Sequence, residues 1–264
     1  MIVRPLPSER PRRLGARLRG AAGIVPGALT IGNMLAGYAA ILAATEQRFP
    51  LAALLVLAAA ALDGLDGRIA RLTGTTSRFG EQLDSLADAV SFAVAPSMLA
   101  FFMGLERLGR VGWAACFLYA ACGVIRLARF NALPPRDSRW FIGLPIPAAA
   151  AAVISPALLA GPRPMPDEAL PFLAIVMVVI ALLMISPIRY RSYKDLAFGR
   201  RLYRALAVWA ALLAGLLAAH EWVVPALALA YLVSPLVERT LAARAAGGTA
   251  DDELEVEDPD IRVV

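Results

Sequence analysis

The sequence predicts an all-α bundle of transmembrane helices. Hydrophobic residues make up 59% of the chain and charged residues only 18%, whereas about 25% of the residues in a soluble domain are charged. The mean hydropathy is +0.65, and apolar windows recur along the chain at close to the ~20 residues that a helix needs to cross a bilayer. Because a helix satisfies its backbone hydrogen bonds within one segment, we expect these windows to cross the membrane as helices.

The apolar windows cover residues 28–45, 51–70, 84–104, 111–128, 144–160, 169–187, 203–219 and 222–237. Several are short or interrupted, so the sequence predicts six to eight spans. With eight spans and a cytoplasmic N-terminus, only Arg48, Arg107, Arg110 and Arg163 of the 26 Lys and Arg residues would lie outside. This positive-inside pattern favours eight spans and that orientation. It also explains the net charge of +5 by contact with anionic headgroups rather than nucleic acid.

We divide the chain into three parts. Residues 1–25 are rich in Arg and Pro and lack the apolar core of a signal peptide, so we expect a basic segment in the cytoplasm or at the membrane interface. Residues 26–240 form the transmembrane domain. Residues 241–264 are acidic, and we expect a disordered cytoplasmic tail.

Four aspartates lie where the second and third windows approach the cytoplasmic side. Asp63 and Asp66 are three residues apart, and Asp84 and Asp88 are four apart, so each pair lies on one helical face. A short polar turn within residues 72–79 joins the two helices and brings the pairs face to face. A carboxylate near the membrane is costly, so this cluster requires compensating charge.

Divalent cations are the compensating charge that the residue types favour. Carboxylate oxygens select hard ions such as Mg²⁺, Mn²⁺ or Ca²⁺, and the chain has one His, which excludes a multi-histidine site. The competing interpretation is that the aspartates cap helix ends or pair with Arg68, Arg71 and Arg78. A cap fits Asp84, but the helix dipole opposes the two aspartates at the end of the second window.

Two glycines follow the first aspartates. Gly64 and Gly67 lie inside the second helix, where each costs about 1 kcal/mol relative to Ala. Their bare backbone permits close approach of a phosphate or sugar, and helix packing through small residues is the other explanation. Arg71 lies on the same stripe as Gly67 and can reach an anionic ligand there.

These residues form a known pattern. Asp63, Asp66, Gly67, Ala70, Arg71, Gly80, Asp84 and Asp88 stand at the spacing D-x2-D-G-x2-A-R-x8-G-x3-D-x3-D, which resembles the signature of the CDP-alcohol phosphatidyltransferases. The resemblance implies an integral membrane enzyme that joins a CDP-linked lipid or alcohol to an acceptor hydroxyl and releases CMP.

Further stretches are similar to one group within that family, the integral-membrane bacterial phosphatidylserine synthases. They are VPGALTIGN at 25–33, DSLADAVSF at 84–92, RLARFN at 126–131 and GLPIP at 143–147. Gly27 departs from the Asn more often seen there. The likeness covers roughly residues 24–150, and the later windows match only in hydropathy.

The resemblance implies a reaction of CDP-diacylglycerol with L-serine, giving phosphatidylserine and CMP at the cytoplasmic face of a bacterial inner membrane. It implies two ions, Mg²⁺ or Mn²⁺, with Asp63, Asp66 and Asp84 holding one and Asp84 and Asp88 contributing to the second. Asp88 is our choice for the catalytic base on the serine hydroxyl. Family analogy favours direct in-line attack without a covalent enzyme intermediate.

Substrate contacts are assigned on the same basis. We expect Gly64, Gly67, Arg71, Ser77, Asn33 and Thr30 to bind the CDP and pyrophosphate portion of the donor. We expect Arg126, Arg129, Phe130 and Asn131 to bind serine, because the serine carboxylate needs a cation and the two arginines are three apart on one helix face. A positive-inside anchor is the competing role for both arginines.

Two other functions stay open at this point. One is the same class of enzyme with another acceptor, glycerol 3-phosphate or an inositol phosphate, for which a denser Arg cluster is expected. The other is a divalent-cation transporter, since acidic clusters in membranes also mark ion paths, although here the acids stop at one interface. The resemblance also implies a possible homodimer, for which the sequence shows no heptad seam.

Overall fold

The computed structural model describes residues 10–74, 77–132, 140–191 and 222–235, and this part of the chain is nearly all helical, which confirms the predicted fold class. The helices are α1 (Arg10–Thr45), α2 (Phe49–Thr73), α3 (Arg78–Asp88), α4 (Ala95–Met103), α5 (Arg110–Ala132), α6 (Ile146–Ala160), α7 (Leu170–Ile185) and α8 (Trp222–Pro235). A π-helical segment, Ala89–Val94, joins α3 to α4.

In the part of the chain that the structure describes, five helical stretches are long and apolar enough to cross a membrane. They are Pro26–Thr45, Phe49–Ala70, Arg78–Met103, Arg110–Ala132 and Asp167–Ile185, while α6 and α8 are shorter apolar helices. Each predicted window coincides with a helix except 203–219, which lies outside the described residues. The count of eight spans, the N-terminal orientation and the three-part division of the chain stay predictions.

The turn between α2 and α3 is shorter than the sequence predicts. Helix α2 continues to Thr73 and ends at Gly74, which adopts the left-handed conformation with φ 64°. Ser77 caps α3 by accepting a hydrogen bond of 3.0 Å from the backbone N–H of Gly80. The third helix thus begins before its apolar window, because its first two turns are amphipathic and are stabilised by a cap rather than by hydropathy.

The π-helical segment is a feature that hydropathy did not predict. The backbone N–H of Ala95 donates to the carbonyl oxygen of Val90, which is the i to i−5 pattern of a π turn. The buried Tyr119 of α5 donates from Oη to the carbonyl oxygen of Phe92 at 3.0 Å. The contact between α5 and the π-helical segment therefore gives the backbone carbonyl oxygen of Phe92 a hydrogen-bond donor.

A short antiparallel ribbon also departs from the purely helical expectation. Strand β1 (Trp140–Ile142) pairs with β2 (Arg189–Arg191), with Phe141 opposite Tyr190. After β1, the N–H of Gly143 donates to the carbonyl oxygen of Ile188 at 2.8 Å. The ribbon ties the segment before α6 to the segment after α7, and three-residue strands are too short to show a periodic pattern.

Helix α1 packs along α2 and against the π-helical segment, and α5 packs along α7. Helix α1 approaches the π-helical segment closely at Gly37, where a Cβ atom would lie 2.3 Å from Ser91 Oγ. Only a short turn separates α2 from α3, so the C-terminal end of α2 and the N-terminal end of α3 meet at one end of the bundle. We call this the acidic end, because it holds Asp63, Asp66, Asp84 and Asp88. At the opposite end, Arg107 forms an ion pair with Asp167.

Candidate active site

Three aspartates at the acidic end converge. Carboxylate oxygens of Asp63, Asp66 and Asp84 all lie within 4.8 Å of one another. Asp66 is only 3% exposed, and the other two are half-buried. Two carboxylates come from one face of α2 and the third from the facing side of α3, which is the arrangement that the i, i+3 spacing and the short turn predict.

Asp88 lies one helical turn beyond Asp84 and is not part of the group of three. Its Oδ1 accepts a hydrogen bond of 3.2 Å from Asn33 Nδ2 of α1, and it remains within electrostatic range of Asp63 and Asp84. The structure therefore gives Asp88 an environment different from that of the other three acids, although all four lie at the same end of the bundle.

Helix α1 supplies polar partners to the acids. Thr30 Oγ1 lies 2.8 Å from Asp66 Oδ2 and 3.0 Å from the carbonyl oxygen of Pro26, so its single hydroxyl proton can serve either acceptor. Asn33 is fully buried, and its backbone carbonyl oxygen accepts a 2.9 Å hydrogen bond from Ser91 Oγ. The sequence predicts Thr30 and Asn33 as nucleotide contacts, and the structure places both against carboxylates.

The donor atoms fit a hard divalent cation. Within the described residues, Asp84 Oδ1 is buried and has no hydrogen-bond partner, and the same holds for Asn33 Oδ1. Buried oxygen acceptors without partners are costly, and the clustered carboxylates repel one another. A cation bound by oxygen ligands relieves both penalties, so this acidic cluster has the composition and spacing of a metal site.

The two arginines predicted to bind the acceptor have different surroundings. Arg126 is 9% exposed, its Nε has no hydrogen-bond partner among the described residues, and it interacts electrostatically with Asp88. Arg129 is exposed, and its Nη1 donates to the carbonyl oxygen of Ile185 at 3.5 Å. The structure thus brings Arg126 to the acids and leaves Arg129 at the rim, beside the end of α7.

The residues after Arg129 lie near α3. Asn131 Nδ2 donates to Ser85 Oγ at 2.9 Å, which joins the C-terminal end of α5 to the residue next to Asp84. Phe130 is 41% exposed. Phe130 and Asn131 therefore lie at the exposed edge of the acidic end.

The remaining predicted residues are on or beside α2. Gly64 and Gly67 are half-buried in the helix next to the clustered aspartates. Ser77 is exposed and is engaged as the cap of α3. Arg71 belongs to α2, but its side chain lies outside the described part of the structure.

Sequence reasoning missed Tyr231, a residue near Arg126. Tyr231 of α8 interacts electrostatically with Arg126, and its ring stacks on that of Tyr190 with centroids 5.5 Å apart. Hydropathy identified the last window only as apolar, and an isolated Tyr in such a window carries no signal of its contacts.

A comparison with protein-family models matches residues 23–234 to the CDP-alcohol phosphatidyltransferases. The chain belongs to this family. Together with the five apolar helices, this makes it an integral membrane protein. The match extends well beyond residues 24–150, where the motifs of the sequence lie, and it includes α8 and Tyr231.

Several relatives of the chain are named CDP-diacylglycerol--serine O-phosphatidyltransferase. The Helicobacter pylori protein (strain ATCC 700392 / 26695) is 40% identical over 193 residues, covering 72% of this chain and 81% of the relative. The Mycobacterium leprae protein is 47% identical over 137 residues, covering 50% and 45%. The Bacillus subtilis protein is 34% identical over 170 residues, covering 64% and 91%.

Proposed function

We propose that the protein transfers the phosphatidyl group of CDP-diacylglycerol to the hydroxyl of L-serine, giving phosphatidylserine and CMP. The names of its relatives support this reaction, and the convergence of Asp63, Asp66 and Asp84 is the observation that carries it. The positive-inside pattern supports placing the acidic end at the cytoplasmic face of a bacterial inner membrane.

The proposal includes two divalent ions, Mg²⁺ or Mn²⁺. Asp63, Asp66 and Asp84 would hold one, and Asp84 with Asp88 would contribute to the second. Bound there, such ions neutralise charge on a pyrophosphate and stabilise the departing CMP. The half-buried Gly64 and Gly67 leave α2 without side chains beside the acids, so that a pyrophosphate can approach the helix backbone closely.

Asp88 is the proposed base. The serine hydroxyl oxygen attacks the phosphorus that carries diacylglycerol, its proton passes to a carboxylate oxygen of Asp88, and the bond from that phosphorus to the CMP oxygen breaks. The 3.2 Å hydrogen bond from Asn33 to Oδ1 fixes the orientation of the Asp88 carboxylate. Positioning of this kind supports general-base catalysis by a weak base.

The acceptor is tested by measuring CMP release from CDP-diacylglycerol with the purified full-length protein in detergent micelles. We expect release with L-serine and Mg²⁺ or Mn²⁺, and little with glycerol 3-phosphate or an inositol phosphate. Turnover with a phosphorylated acceptor and none with serine would contradict the proposed acceptor while leaving the family reaction intact.

The acid cluster is tested by Asp84→Asn. Loss of this shared carboxylate is expected to lower CMP release on the order of 100-fold or more, because it removes a ligand and a charge from the site. Glu81→Gln is the matched control, since Glu81 is an exposed acid on the same helix and its loss should leave turnover unchanged. Normal turnover of Asp84→Asn, or turnover that resists EDTA, would exclude the metal assignment.

A further inference from the structure

Arg126 is a charged side chain in an unusual position. It is 9% exposed, and its Nε–H finds no acceptor among the described residues. A buried guanidinium donor without an acceptor is costly, so this position favours a ligand that brings acceptor oxygens. A carboxylate is the group whose two oxygens match the planar fork of a guanidinium.

The aromatic residue near Arg126 is Tyr231, in the last helix that the structure describes. Tyr231 of α8 is half-buried, and its ring stacks on Tyr190 with an interplanar angle of 20°. Tyr190 is 1% exposed and belongs to β2 of the ribbon. Burial raises the pKa of the Tyr190 phenol, so Tyr190 is neutral at physiological pH. The ribbon thus places the ring of Tyr190 against the ring of Tyr231.

We propose that Arg126 and Tyr231 together bind the carboxylate of an amino-acid acceptor, and that Tyr190 is a positioning residue that holds Tyr231 in place. The inference rests on the proposed function and adds two residues, Tyr190 and Tyr231, that lie outside residues 24–150, where the sequence motifs are found. The guanidinium supplies charge and paired donors, and the Tyr231 hydroxyl supplies a further donor.

The chemistry of serine fits this arrangement. Its carboxylate and hydroxyl are separated by only two carbon atoms, so a serine held at Arg126 presents its hydroxyl close by. Arg126 interacts electrostatically with Asp88 as well as with Tyr231, so the proposed base lies near the guanidinium. An acceptor without a carboxylate would leave the buried Nε–H of Arg126 without an acceptor, and sites built on buried polar groups discriminate strongly against such analogues.

The test is Tyr231→Phe, which removes the hydroxyl and keeps the ring stack. CMP release is measured at varied L-serine and at varied L-serinamide, which lacks the carboxylate. We expect the KM for serine to rise about tenfold, with kcat and the KM for CDP-diacylglycerol within about twofold of the native values. We also expect the preference for serine over serinamide to fall by a similar factor.

Two variants of Tyr190 separate positioning from packing. Tyr190→Ala should reproduce the higher KM for serine although the Tyr231 hydroxyl is still present, and Tyr190→Phe should restore the native KM because it keeps the ring. Tyr38→Phe is the matched control, since Tyr38 is 56% exposed on α1. A native KM and native preference in Tyr231→Phe would overturn the inference, whereas absence of serine-dependent CMP release in the native protein would overturn the proposed function itself.

Discussion

At the residue scale, the hydrogen bonds from α1 give the acids of α2 and α3 distinct surroundings. Thr30 bonds to Asp66, which is buried in the group of three, and Asn33 bonds to Asp88, which lies beside it. Hydrogen-bond partners of this kind fix the orientation of a ligating carboxylate. Their loss commonly lowers metal affinity on the order of 10- to 100-fold. We therefore expect Thr30 to tune metal binding in addition to, or in place of, the nucleotide contact that the sequence predicts.

Thr30→Val tests this role. The change preserves side-chain shape but removes the donor to Asp66, so we expect the Mg²⁺ concentration for half-maximal CMP release to rise about tenfold or more. The rate at saturating Mg²⁺ should fall less. The measurement is a metal titration of CMP release at fixed CDP-diacylglycerol and serine.

Thr45→Val is the control for that titration. The Thr45 hydroxyl donates to the carbonyl oxygen of Leu42 near the opposite end of α1, so its loss should leave the metal dependence unchanged. A Thr30→Val protein with the native Mg²⁺ dependence, and a raised KM for CDP-diacylglycerol instead, would favour the nucleotide contact that the sequence predicts.

The same residues show what sequence reasoning can resolve. The convergence of Asp63, Asp66 and Asp84 was predictable, because helical spacing and a short turn fix which side chains face each other. The difference in burial between Arg126 and Arg129 was not predictable. Helical spacing predicts that the two residues share a face, but it does not predict how far neighbouring helices bury each of them. Depth depends on tertiary packing, which here includes α7.

At the element scale, the contact between α1 and the π-helical segment positions Asn33 and Asp88. Gly37 lies one helical turn after Asn33, and its missing side chain lets the backbone of Ser91 approach α1. Ser91 Oγ in turn donates to the carbonyl oxygen of Asn33. The close approach of the two helices therefore sets the distance across which Asn33 meets Asp88.

Gly37→Ala should separate these helices. The added Cβ would lie 2.3 Å from Ser91 Oγ and 2.6 Å from Ser91 Cα, and because backbone must then move, we expect a loss of about 1–3 kcal/mol of stability. Thermal unfolding in detergent measures this loss, and CMP release should fall with it as Asn33 moves away from Asp88.

Gly27→Ala is the matched change on the same helix. A Cβ at Gly27 meets nothing within 4 Å, so the substitution should be neutral or should stabilise α1 by up to about 1 kcal/mol. Equal stability of the Gly37→Ala and Gly27→Ala proteins would show that the close contact does not hold α1 in place.

Elements also mark where the sequence is a poor guide. Hydropathy located the apolar helices because the membrane selects length and composition. It did not locate the start of α3, where Ser77 provides a cap, or the π turn at Ala89–Val94, whose composition does not differ from that of an α-helix. The β1–β2 ribbon was also missed, because its pairing joins segments far apart in the chain.

At the scale of the whole molecule, the alternating helices separate two ends of different character. The acidic end collects the carboxylates and Arg126. At the opposite end, Arg107 pairs with Asp167, and Met165 N–H donates to the carbonyl oxygen of Met103 at 3.0 Å. Arg48, Arg107, Arg110 and Arg163, the basic residues predicted to lie outside, are all in or next to the turns that follow α1, α4 and α6.

This separation makes the predicted orientation testable with single cysteines. Gln82→Cys places a thiol at the acidic end and Glu168→Cys places one at the opposite end, and both positions are exposed. The native Cys116 and Cys122 are buried, so they should label slowly. In intact bacterial cells, a membrane-impermeant maleimide should modify Glu168→Cys and spare Gln82→Cys until the membrane is permeabilised. The positive-inside distribution of charge is the physical reason, and labelling of Gln82→Cys alone in intact cells would reverse the orientation and place the acids on the outer face, away from cytoplasmic CDP-linked donors.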